Sequence, residues 1–263
     1  VNPFRLLSRG AAGCAAVTVA LGLLTAAPAH AAADWCVDRT GAWDPGTETC
    51  SIQVQSERKA TMNITVRAPA GMVDDAATGA PIRRYLIDFI DRWRKTGAVD
   101  VRSSNLSVDF EYFKGPAALQ SVVFRENRWS HGVFEDNGYR SFTFDGSRMV
   151  KLSDLTDGDP RAVLPPLVRP YLIPALDAAQ PPHPAGSYPF TTEQFEPRTD
   201  GFIGFSGNYD TFAISPDALI LYMPGRPLAS QNPVPGGEFV WSMDGGAVIV
   251  HTPLSALGFA LRV

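Results

Sequence analysis

Chemistry in this chain would have to come from a small set of residues. One serine, Ser206, sits in a glycine-rich context, Gly204-Phe205-Ser206-Gly207-Asn208. A nucleophile elbow reads G-x-S-x-G and lies between a strand and a helix. Here Asn208 stands where the last glycine belongs, and Tyr209 to Ile214 reads as strand. The pattern is therefore better read as a glycine-rich turn entering a strand. Beyond the first 31 residues the histidines are His131, His183 and His251, and none has a second histidine or a cysteine at metal-binding spacing. His183 lies between prolines, and His251 ends a strand pattern. Asp154, Asp157 and Asp159 look acidic enough for calcium. They fail the D-x-[DN]-x-[DN]-G pattern, since Ser153 and Leu155 occupy the positions four and two before Asp157. No paired carboxylates and no phosphate-cradling loop stand out. The catalytic residues are thus unassigned, and no metal or cofactor is implied.

The cysteines carry a clearer message. Residues 1–31 have the form of a secretory signal: Arg5 and Arg9 lead, Ala11 to Leu24 is apolar, and Ala29-His30-Ala31 fits the A-x-A cleavage rule. A cut after Ala33 also satisfies the rule. The apolar run is short for a membrane span, and no second candidate follows it. Cys14 departs with this segment. Cys36 and Cys50 remain, and in an oxidising compartment a disulfide is the default. Closing a ring of about 15 residues is worth roughly 3 kcal/mol in the chain-entropy picture. Trp35 and Trp43 accompany this ring. They read as an apolar lid, with an exposed aromatic platform for a sugar or partner as the alternative.

These residues need a scaffold, and its clearest element is a helix. Ile82, Tyr85, Leu86, Phe89, Ile90 and Trp93 recur at helical spacing and form one stripe. Gly97 follows where a helix C-cap would sit. Most other ordered stretches alternate. Ile52 and Val54, Met62 to Val66, Leu106 to Tyr112, Leu119 to Arg125 and Tyr139 to Phe144 predict strands, with a short return strand over Met149 to Leu152. Ser153 is placed to cap a brief helical turn. Pro69 to Pro81 reads as loop. Residues 159–179 repeat with helical spacing but contain Pro165, Pro166, Pro170 and Pro174. Each interior proline costs about 3 kcal/mol in a helix. A kinked helix is expected there, with a polyproline-like strip as the alternative. Leu219 to Met223, Phe239 to Met243 and Ala247 to His251 predict further strands, and Pro253 to Leu257 a terminal helical turn. The fold class is α+β: a mostly antiparallel sheet packed on one amphipathic helix. The expected organisation is a signal peptide over 1–31 and one secreted domain over 32–263, stapled by the disulfide across 32–52.

Apolar content of 45% and charged content of 19% suit a globular chain. A net charge of −4 with no basic stripe argues against nucleic acid as partner. Asn63-Ile64-Thr65 and Asn105-Leu106-Ser107 match the N-glycosylation pattern and read as chance.

Several segments in order resemble the exported mycobacterial immunogenic protein family, which shares a C-terminal domain of unknown function with RsiV-like, lysozyme-binding anti-sigma factors. They are Cys36, Cys50-Ser51-Ile52, the Met62 to Val66 strand, the Tyr85-Leu86 helix, Tyr139 to Phe142, and Leu152 to Leu155. Asn208 to Ile214, Leu219 to Tyr222 and Val250 to Ala256 complete the series. The region of about 130–258 carries the likeness to the RsiV-like domain. One departure is the loop before Tyr139, where the family's Gly-Gly-x-His-Pro is reduced to His131. The resemblance implies a β-grasp-like core and a secreted, cell-surface or cell-wall-associated protein. Its function would be non-catalytic binding of an extracellular protein or glycan, with a weak secreted esterase as the alternative.

Overall fold

The computed structural model describes residues 31–130, 135–178, 195–197, 205–223 and 248–263, with backbone only at 31–32, 129–130 and 135–137. His131, His183, Gly204 and the expected strand over 239–243 lie outside the described residues.

The amphipathic stripe forms helix α3 (Gly79–Val99). Ile82, Leu86, Phe89 and Ile90 are buried on it, and Asp88 is exposed. The helix runs past Gly97, which is buried inside it. A Cβ there would come within 3.1 Å of Met62 and 3.3 Å of Val54. Gly97 thus serves close helix–sheet approach and is not the expected C-cap. The cap is Asp100, whose N–H bonds Gly97 O.

The helix lies on a seven-stranded sheet. Its strands are β1 (Ala42–Asp44), β2 (Thr49–Gln55), β3 (Thr61–Arg67), β4 (Ser104–Lys114), β5 (Leu119–Ser130), β6 (Glu135–Asp145) and β7 (Arg148–Val150). They pair in sequence order. Only β3 and β4 run parallel, because α3 carries the chain from one end of the sheet back to the other. Period-two alternation decides the faces. On β3, Met62, Ile64 and Val66 are buried, whereas Asn63, Thr65 and Arg67 are exposed. The α3 core also takes Val122 and Phe124 from β5, and Phe142 and Phe144 from β6.

A second, three-stranded antiparallel sheet has the order β10-β9-β8, from β8 (Phe212–Ile214), β9 (Ala218–Met223) and β10 (Val248–Pro253). Every residue of β9 is buried. Its Ala218, Ile220 and Tyr222 pack with Val123 and Tyr139 of the large sheet. Its Leu219, Leu221 and Met223 turn the other way, into a core closed by helix α6 (Pro165–Asp177) through Val168, Leu172 and Leu176. The layers are therefore helix, large sheet, small sheet and helix.

The proline-rich stretch is helical, as α5 (Pro160–Val163) and α6 separated at Leu164. Pro165 and Pro166 occupy the first turn, where no N–H is needed. Pro166, Pro170 and Pro174 are all exposed, so water can satisfy the carbonyls they release. Two short helices, α1 (Ala31–Val37) and α2 (Ala70–Asp74), were not indicated by pattern, and α2 lies in the stretch expected to be loop. The turn after β7 is α4 (Leu152–Leu155). Asp154 bonds the Lys151 N–H at its start, and Ser153 lies within it rather than capping it. The chain ends with α7 (Leu254–Leu257) and a 3-10 turn.

Candidate functional site

Ser206 is 1% exposed, and its Oγ accepts the backbone N–H of Asn208 at 3.2 Å. The chain then makes a left-handed 3-10 turn, with φ of 55° at Gly207, 57° at Asn208 and 62° at Tyr209. For tyrosine that conformation is strained. It is held by burial of the ring against the α6 core and by the Asp210 N–H bonding Gly207 O. Strand β8 follows, with no α-helix after the serine. An elbow would present its hydroxyl at the top of a strand-to-helix turn, and this hydroxyl is instead inside the turn. His251 lies elsewhere. It pairs with Ile220 in the β9–β10 register, so it shares the face that turns to the large sheet. Phe205 and Tyr209 pack on the opposite face. The structure does not bring Ser206 and His251 together.

The other residues singled out above have structural duties. Cys36 and Cys50 are bonded, with Cα atoms 5.8 Å apart. Gly41 backs onto this bridge, and a Cβ there would lie 2.5 Å from Cys36 Sγ. Trp35 is 2% exposed and meets Trp43 edge to face at 5.7 Å, so the pair is a lid on the α3 core rather than an open platform. Asp154 caps α4, and Asp159 caps α5 while pairing with Arg161. Asn63 and Asn105 bond each other at 3.0 Å on the exposed face of the large sheet, and Gln53 bonds Asn63.

A half-open concave surface is present among the described residues. It is a groove of about 530 Å³ lined by Pro69, Gly71, Asp75, Tyr112, Lys114 and Gln120, among others. Three pieces of chain build it. The first is the turn from α2 to α3, where Asp75 Oδ1 accepts the N–H groups of Ala77 and Thr78, while the Thr78 hydroxyl donates to Met72 O at 2.8 Å. The Thr78 and Ala77 amides hold this carboxyl below the usual carboxylate range. The second is the β4–β5 ribbon, which brings Tyr112, Lys114 and Gln120 to the groove. Tyr112 OH donates to Gln120 Oε1 at 2.8 Å. The third is the β6–β7 turn at Gly146. Asp75 Oδ2, Lys114 Nζ and the Gln120 amide nitrogen keep open hydrogen-bonding capacity among the described residues. None of these residues was indicated by sequence motif. The available signal was a strand whose core-facing positions change from Val108 and Phe110 to Tyr112 and Lys114 at its far end.

A second polar cluster lies under the middle of α3. Tyr85, Phe89 and Trp93 run along the helix one turn apart, and Tyr85 packs on Phe124 at 5.2 Å. Two residues further along β5, Glu126 accepts the Tyr85 hydroxyl at 2.9 Å. Burial pushes the Glu126 carboxyl above its usual value, against the pull of the Tyr85 hydrogen bond and of Arg92, 3.7 Å away. Burial, reinforced by Glu126, likewise raises the Tyr85 phenol. Arg128 stacks over Trp93 at 4.8 Å.

No protein-family model matches the chain, and no curated protein sequence matches it. Among solved structures, it is similar to a DUF3298 family member from Bacteroides fragilis, at 15% identity and a TM-score of 0.42, over 85% of this chain and 95% of that one. It is also similar to a DUF3298 family protein from Pseudomonas aeruginosa, at 12% identity and a TM-score of 0.41, over 83% of this chain and 95% of that one.

Among the described residues no helix is long and apolar enough to cross a membrane.

Proposed function

We propose that this chain is an exported, non-catalytic binding protein that holds its ligand in the groove between the α2–α3 turn and the β4–β5 ribbon. The observation that carries the reading is the groove itself. It gathers an exposed ring, a carboxylate, an ammonium and an amide, with none of them committed to a salt bridge among the described residues. Its volume falls within the ~300–1,000 Å³ common for small-ligand sites. Export is supported by the charged-apolar-small pattern of residues 1–31, and by Cys36 and Cys50, which suit an oxidising compartment. The resemblance to exported mycobacterial immunogenic proteins and to the lysozyme-binding RsiV-like domain supports the same reading. A partner or ligand outside the cell follows from it. The esterase alternative draws nothing from the Ser206 turn.

Two measurements test the proposal. N-terminal sequencing of protein recovered from the culture medium is expected to begin at residue 32 or 34, and retention of residues 1–31 in that fraction would refute export. Ligand-observed NMR with a mixed panel of saccharides, short peptides and nucleotides is expected to find binders that Gly71→Phe displaces. Gly71 is exposed and a Cβ there meets nothing, so this variant fills the groove without disturbing the core. Binders indifferent to Gly71→Phe would place the site elsewhere.

A further inference from the structure

The groove's chemistry narrows its ligand, granted the reading just given. Its charges are one carboxylate, Asp75, and one ammonium, Lys114. That balance gives an anion such as a phosphate no net attraction, and the chain as a whole is acidic at −4. An extended peptide would need a free sheet edge, where backbone groups are unpaired. The groove's strands offer only a short one, since β5 is paired to β4 and β6, and β4 lacks a β3 partner only beyond Val108. A wholly apolar ligand would leave Asp75, Lys114 and Gln120 desolvated without partners.

A sugar ring suits what remains. Each hydroxyl can donate and accept, so it can give to Asp75 Oδ2 and take from Lys114 Nζ or the Gln120 amide. The carbon-bound hydrogens of one ring face can pack on an aromatic face. Tyr112 is 38% exposed and supplies that face. Its ring is tethered through the bond from its hydroxyl to Gln120, and Asp75 is held by the Ala77 and Thr78 amides on one oxygen. Such pre-ordering lowers the entropy lost on binding. At the walls, Gly71 and Gly146 each have open space where a Cβ would be. The groove stays open there, which lets a chain of sugars continue past the central unit. We propose that the ligand is a neutral oligosaccharide, with one ring flat on Tyr112 and its hydroxyls shared among Asp75, Lys114 and Gln120.

The test uses the full mature chain and defined probes: maltotetraose, cellotetraose, chitotetraose and mannotetraose, with tetragalacturonate as the acidic probe and a neutral tetrapeptide library. Binding is read by calorimetry and saturation-transfer NMR. At least one neutral tetrasaccharide is expected to bind. Tyr112→Ala should weaken that binding by about tenfold or more, the worth of a lost ring contact. Gly71→Phe should abolish it, and both variants should keep the wild-type melting temperature. Lys114→Ala should weaken it less than Tyr112→Ala does. The proposal is overturned if the neutral tetrasaccharides fail to bind, or bind equally well to Tyr112→Ala and Gly71→Phe. Peptide or tetragalacturonate binding that Gly71→Phe removes, with no neutral saccharide bound, would overturn the sugar assignment alone and leave the groove as the binding site. If Gly71→Phe changes the binding of no probe, the groove reading falls with it.

Discussion

At the scale of single residues, Ser206 and Glu126 show how far side-chain type is from role. Ser206 has the neighbours of a nucleophile, but its Oγ is occupied as an acceptor inside a left-handed turn. Ser206→Ala is therefore expected to leave hydrolysis of p-nitrophenyl butyrate at its wild-type level and to cost about 1 kcal/mol of stability from the lost hydrogen bond. Saturable wild-type turnover that falls by orders of magnitude in a folded Ser206→Ala would restore the esterase reading. Glu126 has no motif at all, yet it is the acid most plainly shaped by its surroundings. Burial raises its folded pKa above the unfolded value near 4.5, so the folded state holds the proton more tightly than the unfolded chain. Stability from this group is then full below the unfolded value and declines as pH rises from there through the folded value. Glu126→Gln keeps an oxygen for the Tyr85 hydroxyl and removes the charge. Its stability advantage over wild type should accordingly grow across that window and level off above it. Urea midpoints measured from pH 4 to pH 8 would show this, and a constant difference would mean that Glu126 does not titrate as argued.

Elements were legible where one face is apolar at a fixed period. The stripe from Ile82 to Trp93 identified α3, and alternation identified β3 and the middles of β4, β5 and β6, because in each case burial on one face imposes the spacing. The glycine at position 97 was misread, since a glycine needed for close packing on Met62 looks the same in sequence as one needed for φ > 0. The helix of α6 was legible despite its prolines, because its buried stripe, Leu164, Val168, Leu172 and Leu176, keeps i+4 spacing beside them. The groove left no local trace. Its Asp75 and its Tyr112 to Gln120 pieces come from separate elements, and only the packing of α2 and α3 beside the ribbon brings them together. The face assignment of α3 itself is testable. Phe89 is 2% exposed, and Phe89→Asp would bury an unpaired charge costing several kcal/mol, a large share of the ~5–15 kcal/mol of a typical domain. Asp88 is exposed, so Asp88→Ala should stay within about 0.5 kcal/mol of wild type. Equal melting temperatures for the two variants would contradict the helix orientation.

For the whole molecule, the contact between the two sheets decides whether the four layers behave as one unit. That contact is small in apolar terms, being built on Val123, Tyr139, Ala213, Ala218, Ile220 and Tyr222. Hydroxyls reinforce it. Strand β8 is an edge strand of the small sheet, and its outward N–H groups would be buried against the large sheet without partners. Ser121 Oγ accepts the N–H of Ile214 at 3.1 Å, and Ser141 Oγ accepts that of Phe212 at 3.0 Å. Ser121 also shares a hydrogen bond with Thr143 at 3.0 Å, and Tyr222 OH reaches across to Glu111 at 2.9 Å. Serines on the inward face of β5 and β6 look like breaks in an apolar pattern, but here they are the acceptors that let one sheet's edge lie on another sheet's face. Removing the Ser121 hydroxyl leaves a buried N–H unsatisfied, which costs about 1–3 kcal/mol. Ser141→Ala should cost less, because its bond is only partly buried. Trp35, Trp43 and Trp93 sit in or against the α3 core, so in a background carrying Trp129→Phe and Trp241→Phe tryptophan fluorescence follows the far side of the large sheet, while far-UV circular dichroism follows all layers. If the layers unfold together, Ser121→Ala lowers the midpoint seen by both probes equally, although the lesion is on the opposite face from the tryptophans. A fluorescence midpoint that stays at the wild-type value while the dichroism transition moves or splits would show that the small sheet and α6 separate from the large sheet before the rest unfolds.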